Sequence, residues 1–599
     1  MSWETPELVP HGVNVGGWFC LEDWFYSLHR GAKAGHCVAT PPPSYDVASR
    51  TLSTECFVGD VRTIFPDLTE EEARKLPRCS FGCESDLVNL LLRSGLAEQR
   101  VVELFWRHRR SYIMPVDFAR IRSLGIRRVR LPVTWCLSYD SPYTVRGQDC
   151  NGNDTSTVVR PGSSIVEDPF SNDPAFDPAH MGHPPDKWIS IPIRVIENVL
   201  ENAADFGIEV LIDIHAFPGA SSAGTFNGVW PHNPRFWSAH REENFRTIVG
   251  QLLDWMDSLS YKNPRAFGAL HGLTPMNEPA HLKGLFDPKG ADVDVPYRAA
   301  YDLSGRSVWA AQLTTADVLA TLELAVAEFR TRPALMKAGK KLIMNVIETA
   351  FNGTFGGSAD AGAFAASQTG ETDLVAELIG TWWRQATTSE ERRLWAVLDI
   401  HNYISWHPDV SKFRNVKTID EYQALLAAMS LPFFSKLRQR LGIPKPELLA
   451  CSEYSASTDQ DTFTSICSGV GPRPPSFPRD RFDWQVLRDR FMLAQHQAAG
   501  SASVDMWFWT YHIRKNVNYQ GEWSLQHILS PWPRLCRRFE GAGAVRRGWV
   551  LVSGSYCCVA HLAAVAFRLL RAWSRAPLRG IWHQTFGLRF AFDSCGAVR

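Results

Sequence analysis

The 599-residue chain is predicted to be an α/β protein, a (β/α)8 TIM barrel with long loop insertions and an atypical C-terminal tail. From residue 11 to residue 529, short apolar runs alternate with amphipathic helical stretches, a rhythm typical of βα units around a parallel sheet. Eight such runs suit a closed barrel better than an open doubly wound sheet. The opening GVNVGGW lacks the GxGxxG spacing, so a dinucleotide site is not indicated.

The predicted strands follow one another in chain order, with helical patterns between them. They are His11–Trp18, Arg127–Val133, Glu209–His215, Leu270–Asn277, Lys341–Ile347, Trp395–His401, Glu447–Glu453 and Val504–Thr510. Among the helices, Pro192–Gly207 begins with Pro, repeats apolar residues at i, i+3, i+4 and i+7, and ends with Gly. Val116–Gly125 is a shorter helix of the same kind.

Two segments interrupt the barrel domain, which we place at residues 11–529. Residues 25–110 are rich in Pro, Ser and Cys, with one helical stretch near 84–110, and residues 138–187 are polar. We expect both to be insertions on the barrel's loops, where they shape a cleft. Six of the 13 Cys lie within residues 37–150, which in a secreted protein indicates disulfides that brace an insertion.

The tail, residues 530–599, has a different composition, with eleven Arg, no Lys and two acidic residues. Within it, residues 549–567 contain no charged side chain and are just long enough to cross a membrane, although Ser, Gly and His interrupt them. The tail is therefore predicted to be either disordered or membrane-associated. The N-terminus lacks a basic segment followed by an apolar one, so the sequence as given leaves the compartment open.

Charge and aromatic content narrow the classes of partner. Lys+Arg and Asp+Glu balance at 63 each, so no overall field favours nucleic acid. The 22 Trp either fill a large core or line a cleft in which flat rings stack on sugars.

Two predicted strands end in a glutamate. Strand four runs into LTPMNEPA, with Asn277 and Glu278, and strand seven runs into LLACSEYSA, with Glu453. A glutamate in either position, taken alone, is more often a solvated loop residue or a charge at a helix start. Because barrel enzymes draw their catalytic groups from the C-terminal ends of strands, the pair is a candidate for acid and nucleophile across one substrate bond.

Other strand ends add polar and aromatic groups. Arg130 on strand two is placed to keep a nearby carboxylate ionised. His215 ends strand three, either as a polar group aimed at the barrel mouth or as a satisfied structural histidine. His401 and Tyr403 alternate onto one face, where the Tyr hydroxyl is placed to hydrogen-bond a carboxylate. On strand eight, Trp509 shares a face with Trp507 and Tyr511, as core packing or as a sugar-stacking floor.

At this point the chain resembles the family 5 glycoside hydrolases, most closely their exo-β-1,3-glucanase (glucan 1,3-β-glucosidase) branch, over roughly residues 11–529. Seven motifs carry the resemblance in the family's order: GVNVGGWFCLEDW, SLGIRRVRLPV, VLIDIHAFPG, MNEP, LDIHNY, SEYSA, and WFWTY with GEWS. It implies retaining hydrolysis of a β-glucan polysaccharide or oligosaccharide that releases glucose. It also implies a monomer, extracellular or at the cell surface, without metal or organic cofactor.

The resemblance assigns roles residue by residue. It implies that Glu278 is the acid/base and Glu453 the nucleophile. The substrate-binding residues that it implies are Glu22, Arg130, His215, Asn227, Asn277, His401, Tyr403 and Trp509.

Three departures from the family's pattern bear, in turn, on the linkage that is cut, on chain-end versus mid-chain attack, and on the stability of the chain. The Asp expected before Asn227 is replaced by Phe226, the two insertions are longer than the family's loops, and no family-like closing helix follows Leu529. Other β-glycans (β-1,6-glucan, mannan, a cellulose-type chain or a glycolipid) are therefore alternatives. A non-catalytic glycan-binding barrel is the alternative from a different class.

Overall fold

A computed structural model describes the part of the chain that forms the barrel and much of its insertions. The described residues are 9–22, 25, 58–76, 83–149, 152–170, 186–221, 235–279, 315–347, 379–403, 418–457, 484–513 and 523–529. All of them belong to the first of two compact units, Met1–Leu529, and the tail predictions concern Ser530–Arg599, outside the described residues. Among the residues described, no helix combines the length and apolar character needed to cross a membrane.

Eight parallel strands close into a barrel, which confirms the predicted fold class. The strands are β1 (Gly12–Asn14), β2 (Arg128–Thr134), β3 (Glu209–Ala216), β4 (Leu270–Thr274), β5 (Lys341–Ile347), β6 (Ala396–His401), β7 (Leu449–Tyr454) and β8 (Asp505–Phe508). Each strand pairs with its neighbours in sequence, and β1 closes the barrel by pairing with both β2 and β8. All eight match predicted runs, although β1 is shorter than His11–Trp18.

An apolar layer fills the lower barrel and supports a polar layer above it. The apolar side chains come from β3, β5, β6, β7 and β8 and are those of Leu211, Ile343, Val397, Ala450 and Trp507. Asp213, Asn345 and Asp399 each follow a member of this layer by two residues. Since side chains alternate along a strand, these three face the same interior, one layer nearer the C-terminal ends of the strands, here called the mouth.

Helices pack around this barrel and within the insertions. They are α1 (Val58–Ile64), α2 (Glu70–Lys75), α3 (Glu84–Arg93), α4 (Glu98–Ser111), α5 (Pro115–Ser123), α6 (Ile193–Asp205), α7 (Arg241–Lys262), α8 (Pro264–Ala269), α9 (Thr315–Arg330), α10 (Pro333–Lys337), α11 (Ser389–Leu394), α12 (Ile419–Ser430), α13 (Phe433–Leu441), α14 (Trp484–Ala502) and α15 (Leu525–Leu529). Both predicted helices appear, as α5 and α6. The sequence has no family-like closing helix after Leu529, and the structure shows that α15 ends at this residue.

The first insertion is more ordered than its composition suggested, because it contains α1 to α4 where one helical stretch was expected. Thr69 begins α2 with a capping box, in which its hydroxyl accepts from the backbone of Glu72 and the Glu72 carboxylate accepts from the Thr69 backbone. Arg100 of α4 donates to the same carboxylate from Nε, at 2.8 Å, and so ties two of the helices together.

The second insertion contains two antiparallel strand pairs. Tyr143–Gln148 pairs with Asp154–Val159, and Ile165–Glu167 pairs with Lys187–Ile189. Asp168 joins this insertion to the loop after β3, because its carboxylate accepts from the backbone of Gly219 at 2.9 Å.

Arg109 on α4 connects both insertions to the first barrel strand's loop. Its guanidinium pairs with Glu84 at 3.0 Å and donates to the carbonyl oxygens of Ile189 and Ser190 at the end of the second insertion. Its own carbonyl accepts from the Trp18 indole at 2.6 Å. Burial raises the pKa of Glu84, and the charge of Arg109 opposes that shift.

Of the six clustered cysteines, the structure describes Cys83 and Cys136, and both are buried. Cys136 is a free thiol, so the disulfide expectation is wrong for this residue. Burial raises the pKa of the Cys136 thiol, as expected for an inert core cysteine. The other four cysteines of the cluster lie outside the described residues.

Candidate active site

Glu453, near the end of β7, accepts hydrogen bonds from Arg130 on β2 and from Tyr403, two residues past β6. Arg130 donates from Nη1 to Oε1, and Tyr403 donates from its hydroxyl to Oε2 at 2.6 Å. His401 Nδ1 lies 3.4 Å from the same Oε2. Burial raises the pKa of Tyr403, and the charges of Glu453 and Glu278 raise it further, so the Tyr403 hydroxyl keeps its proton and remains a donor.

Arg130 is fully buried and is held by partners on several sides. Its Nη1 donates to Asn14 Oδ1 at 3.0 Å, its Nη2 donates to Asn277 Oδ1 at 2.7 Å, and Nη2 lies 3.1 Å from Asp213 Oδ2. Burial alone would lower the pKa of Arg130, but the charges of Asp213 and Glu453 outweigh it and raise the pKa. The guanidinium is therefore a fixed positive charge beside Glu453.

Glu278 lies just past β4 with an unusual backbone conformation. Its φ is 37°, in the left-handed region that non-glycine residues rarely adopt. Its backbone N–H donates to Asn345 Oδ1 at 2.9 Å, and its Oε1 lies 2.6 Å from His401 Nδ1. A carboxylate oxygen of Glu278 and one of Glu453 lie within 4.8 Å of each other.

His401, at the end of β6, stands between the two glutamates. Its Nε2 lies 3.1 Å from the Ser452 hydroxyl and 3.5 Å from Asp399 Oδ2. Burial alone would lower the pKa of His401, but the charge of Glu453 and hydrogen bonds with Asp399 and Glu278 raise it to about 10. The raised pKa favours the positively charged form of the imidazole.

His215 and Trp509 form the opposite wall. Their rings stack with centroids 5.4 Å apart and 9° between the planes. His215 Nδ1 lies 2.7 Å from Asp213 Oδ2, and its Nε2 lies 3.5 Å from the Asn277 amide nitrogen. Burial alone would lower the pKa of His215, but Asp213 outweighs burial and raises the pKa, and the charge of Glu22 raises it further. Glu22 itself is buried.

The three aromatic residues of strand eight, left open between core packing and a sugar-stacking floor, do not form a common floor. Trp507 lies in the apolar layer inside the barrel. Tyr511 donates to Asp117 of α5 at 3.3 Å. The cause is that β8 ends at Phe508, so period-two alternation does not extend to Tyr511, and only Trp509 reaches the site. Asn227 lies outside the described residues.

Several residues of this network were not predicted. They are Asn14, Asp213, Asn345, Asp399 and Ser452. A usable signal was present for two of them, because both strand-end histidines occur in the tripeptide Asp-Ile-His, and i and i+2 share a strand face.

Glu278, His401 and Glu453 also bring three potential metal-ligand atoms within 4.8 Å of one another. A histidine must lose its proton on the coordinating nitrogen to bind a metal, whereas the raised pKa of His401 keeps it protonated. Arg130 adds a further positive charge at Glu453. The donor set therefore fits a hydrogen-bonded carboxylate pair better than a cation site.

Comparisons with known proteins find structural likeness at low sequence identity. No family model matches the chain, and no curated protein matches it. The crystal structure of AoRut matches with a TM-score of 0.44 and 12% identity, covering 86% of this chain and 94% of the other. Rutinosidase from Aspergillus niger matches at 0.41 and 12%, covering 84% and 90%. An endocellulase from Pyrococcus horikoshii matches at 0.32 and 14%, covering 66% and 78%.

At these scores and identities, the fold assignment rests on the strand pairing of the barrel itself. Any activity must be argued from the residues at the mouth, because one fold hosts many functions.

Proposed function

We propose that the chain is a retaining β-glycosidase of the family 5 type, acting as an exo-β-1,3-glucanase that releases glucose. The observation that carries the mechanism is the pair of carboxylate oxygens of Glu278 and Glu453, within 4.8 Å of each other. Retaining glycosidases place their carboxyl groups about 5–5.5 Å apart, and inverting ones leave about 6.5–9.5 Å for a water.

In the first step, Glu453 attacks the anomeric carbon while Glu278 protonates the glycosidic oxygen. Glu453 is suited to attack because Arg130 and Tyr403 both donate to its carboxylate, which favours the ionised form and fixes its orientation. The bond to the leaving sugar breaks as the glycosyl–Glu453 bond forms.

In the second step, Glu278 accepts a proton from water, which attacks the anomeric carbon and frees Glu453. Two displacements restore the original β configuration. His401 stays beside both carboxylates, 2.6 Å from Glu278 and 3.4 Å from Glu453, and so stabilises whichever of them is negative.

The chemistry is tested with Glu453→Gln and Glu278→Ala on an aryl β-glucoside and on laminarin. We expect Glu453→Gln to abolish turnover of both, and Glu278→Ala to affect laminarin far more, because an aryl leaving group needs little protonation. Glu242→Gln, on exposed α7 surface, is the matched control and keeps full activity. Unchanged hydrolysis in both site variants contradicts the assignment of these two residues, whereas a wild type that binds laminarin without hydrolysing it favours the glycan-binding alternative.

Stereochemistry gives an independent test of the carboxylate separation. Proton NMR of fresh product should show β-glucose first, with α-glucose appearing only by mutarotation. Initial α-glucose would contradict the two-step displacement.

The β-1,3 preference is supported by the motif resemblance, including Glu22, and is separate from the mechanism. Reducing-sugar yield from laminarin is compared with yields from pustulan, mannan and carboxymethylcellulose. Higher activity on any of the last three overturns the β-1,3 assignment and leaves the retaining mechanism standing. Glucose as the sole laminarin product supports exo action, and a ladder of oligomers supports mid-chain attack.

A further inference from the structure

Two barrel strands carry the same tripeptide, Asp-Ile-His, and each buried aspartate lies behind a different catalytic carboxylate. Asp213 in β3 contacts Arg130 at 3.1 Å, and Arg130 binds the proposed nucleophile. Asp399 in β6 instead lies 3.5 Å from His401, which contacts the proposed acid/base. Both aspartates are fully buried. A buried carboxylate is costly unless it is paired, so both positions need an account.

One route from Asp399 to Glu278 runs through Ser452 and His401. The Ser452 hydroxyl donates to Asp399 Oδ2 at 2.6 Å, so its oxygen is left to accept from His401 Nε2, 3.1 Å away. This arrangement places a hydrogen on Nε2. The other ring nitrogen, Nδ1, then faces Glu278 Oε1 at 2.6 Å.

A second route reaches the backbone of Glu278. Asn345 donates from Nδ2 to Asp399 Oδ2 at 3.1 Å, and because an ionised carboxylate only accepts, this fixes which way the amide points. Its Oδ1 is thereby turned to accept the Glu278 backbone N–H at 2.9 Å. That bond holds the residue whose φ is 37°, a conformation that non-glycine residues adopt only where the surrounding structure supports it.

We propose that Asp399 is a positioning residue for Glu278, acting through His401 on its carboxylate and through Asn345 on its backbone, while Asp213 serves Glu453 through Arg130. The inference rests on the proposed function and assigns one buried aspartate to each catalytic carboxylate. Asp399 also accepts from the backbone of Ser452 at 2.8 Å.

The charges around His401 agree with this division. Glu278 faces it from the end of β4, Glu453 from β7 and Asp399 from its own strand, and Arg130 faces Glu453. Together the carboxylates outweigh burial and raise the pKa of His401 to about 10. Removing the charge of Asp399 is expected to lower that pKa.

The test compares Asp399→Asn with Asp213→Asn on two substrates. Asn at 399 keeps an oxygen for the Ser452 N–H but loses the charge and the second acceptor. Laminaribiose needs a proton on its leaving oxygen, whereas 2,4-dinitrophenyl β-glucoside does not, and kcat/KM reports the steps up to the glycosyl-enzyme.

We expect Asp399→Asn to lower kcat/KM about tenfold or more on laminaribiose and to leave kcat/KM on the dinitrophenyl substrate unchanged. Asp213→Asn should lower both alike.

Azide provides a second readout in the same assay. It attacks the glycosyl-enzyme in place of water, forms glucosyl azide, releases the Glu453 carboxylate and needs no base. It should therefore restore kcat of Asp399→Asn on the dinitrophenyl substrate and have no such effect on Asp213→Asn. Equal losses on both substrates for Asp399→Asn overturn the inference and leave the proposed function standing.

Histidine NMR tests the positioning independently of activity. The His401 signal of ¹⁵N-histidine-labelled protein is identified by its absence from the spectrum of His401→Gln. In the wild type at pH 8, this signal should show that both ring nitrogens are protonated. In Asp399→Asn, His401 should lose its proton at a lower pH than in the wild type. An unchanged titration of His401 overturns the inference.

A second variant is needed if Asp399→Asn unfolds at a temperature well below that of the wild type. Asn345→Ala, which removes only the backbone route, must then show the same substrate-selective loss. A wild type inactive on both glucosides contradicts the proposed function instead.

Discussion

Arg130 shows how a single side chain organises the candidate nucleophile. Its two terminal nitrogens reach Glu453, Asn14, Asn277 and Asp213 at once, inside a fully buried setting. A planar guanidinium can make these contacts together, and an ammonium group cannot.

We therefore expect Arg130→Lys to lower kcat/KM on an aryl β-glucoside by about 10²-fold, which is the size of the loss when an active site loses one hydrogen-bond donor that stabilises charge. The control is Arg128→Lys on the same strand, where the side chain is one-third exposed and pairs with Glu209 and Asp505 away from the mouth. Its kcat/KM should equal that of the wild type. A similar loss in both variants would point to general damage to β2.

At the scale of elements, the first insertion depends on a buried ion pair. Glu84 of α3 and Arg109 of α4 have side chains that are 0% and 1% exposed. Removing one partner of such a pair leaves a buried charge without compensation. On the same helix, Arg107 pairs with Glu103 at the surface, with both side chains nearly half exposed.

Arg109→Met should therefore lower the free energy of unfolding by about 3–5 kcal/mol, measured by urea denaturation. Arg107→Met, the matched control on α4, should lower it by less than about 1 kcal/mol. Comparable effects would mean that Arg109 contributes mainly through its aliphatic stem.

Glu72 links α2 to α4 and carries a pH dependence. The hydrogen bond from Arg100, which outweighs burial, lowers the pKa of Glu72 to about 2. A carboxyl group whose pKa is lowered by folding stabilises the protein above its unfolded pKa of about 4.3 and loses that contribution as pH falls toward 2.

Glu72→Gln should therefore cost about 2–3 kcal/mol at pH 7 in urea unfolding, and the difference from wild type should shrink as pH falls below about 4.5. Glu71→Gln, one residue earlier with a side chain that is 77% exposed, should show little effect at either pH. A difference that is constant with pH would exclude the ion pair as its source.

Prediction from sequence succeeded where burial imposes a simple pattern. Parallel strands covered on both faces appear as continuous apolar runs, so all eight strands could be found, and Glu278 and Glu453 followed from their ends. Asn345 could not be found this way, because it is a polar residue within an apolar run. Its partners come from other strands, far away in sequence. Helices α1 and α2 were missed because the Pro, Ser and Cys content of residues 25–110 indicated loops.

At the scale of the whole molecule, closure of the barrel leaves no space at Gly272. A Cβ there would lie 2.0 Å from the carbonyl oxygen of Lys341, on the neighbouring strand β5. The backbone cannot yield without disturbing the pairing of β4 with β5. Four residues earlier, Gly268 in α8 faces open space within the described part of the chain.

Gly272→Ala is accordingly expected to destabilise the protein by about 1–3 kcal/mol or more, through overpacking between strands. Gly268→Ala should be neutral or stabilise by up to about 1 kcal/mol, because alanine favours a helix. Thermal unfolding of the two variants checks this, and equal midpoints would contradict the close approach of β4 and β5.

The contacts of Arg109 also limit how this protein can be engineered. A designer who deletes the first insertion to widen access to the mouth also removes the donor for the carbonyl oxygens of Ile189 and Ser190. The second insertion would then lose one of its anchors although none of its own residues had changed, and the bond from Gly219 to Asp168 would remain. The two loops are therefore not independent modules, and a trimmed variant must shorten both or keep Arg109.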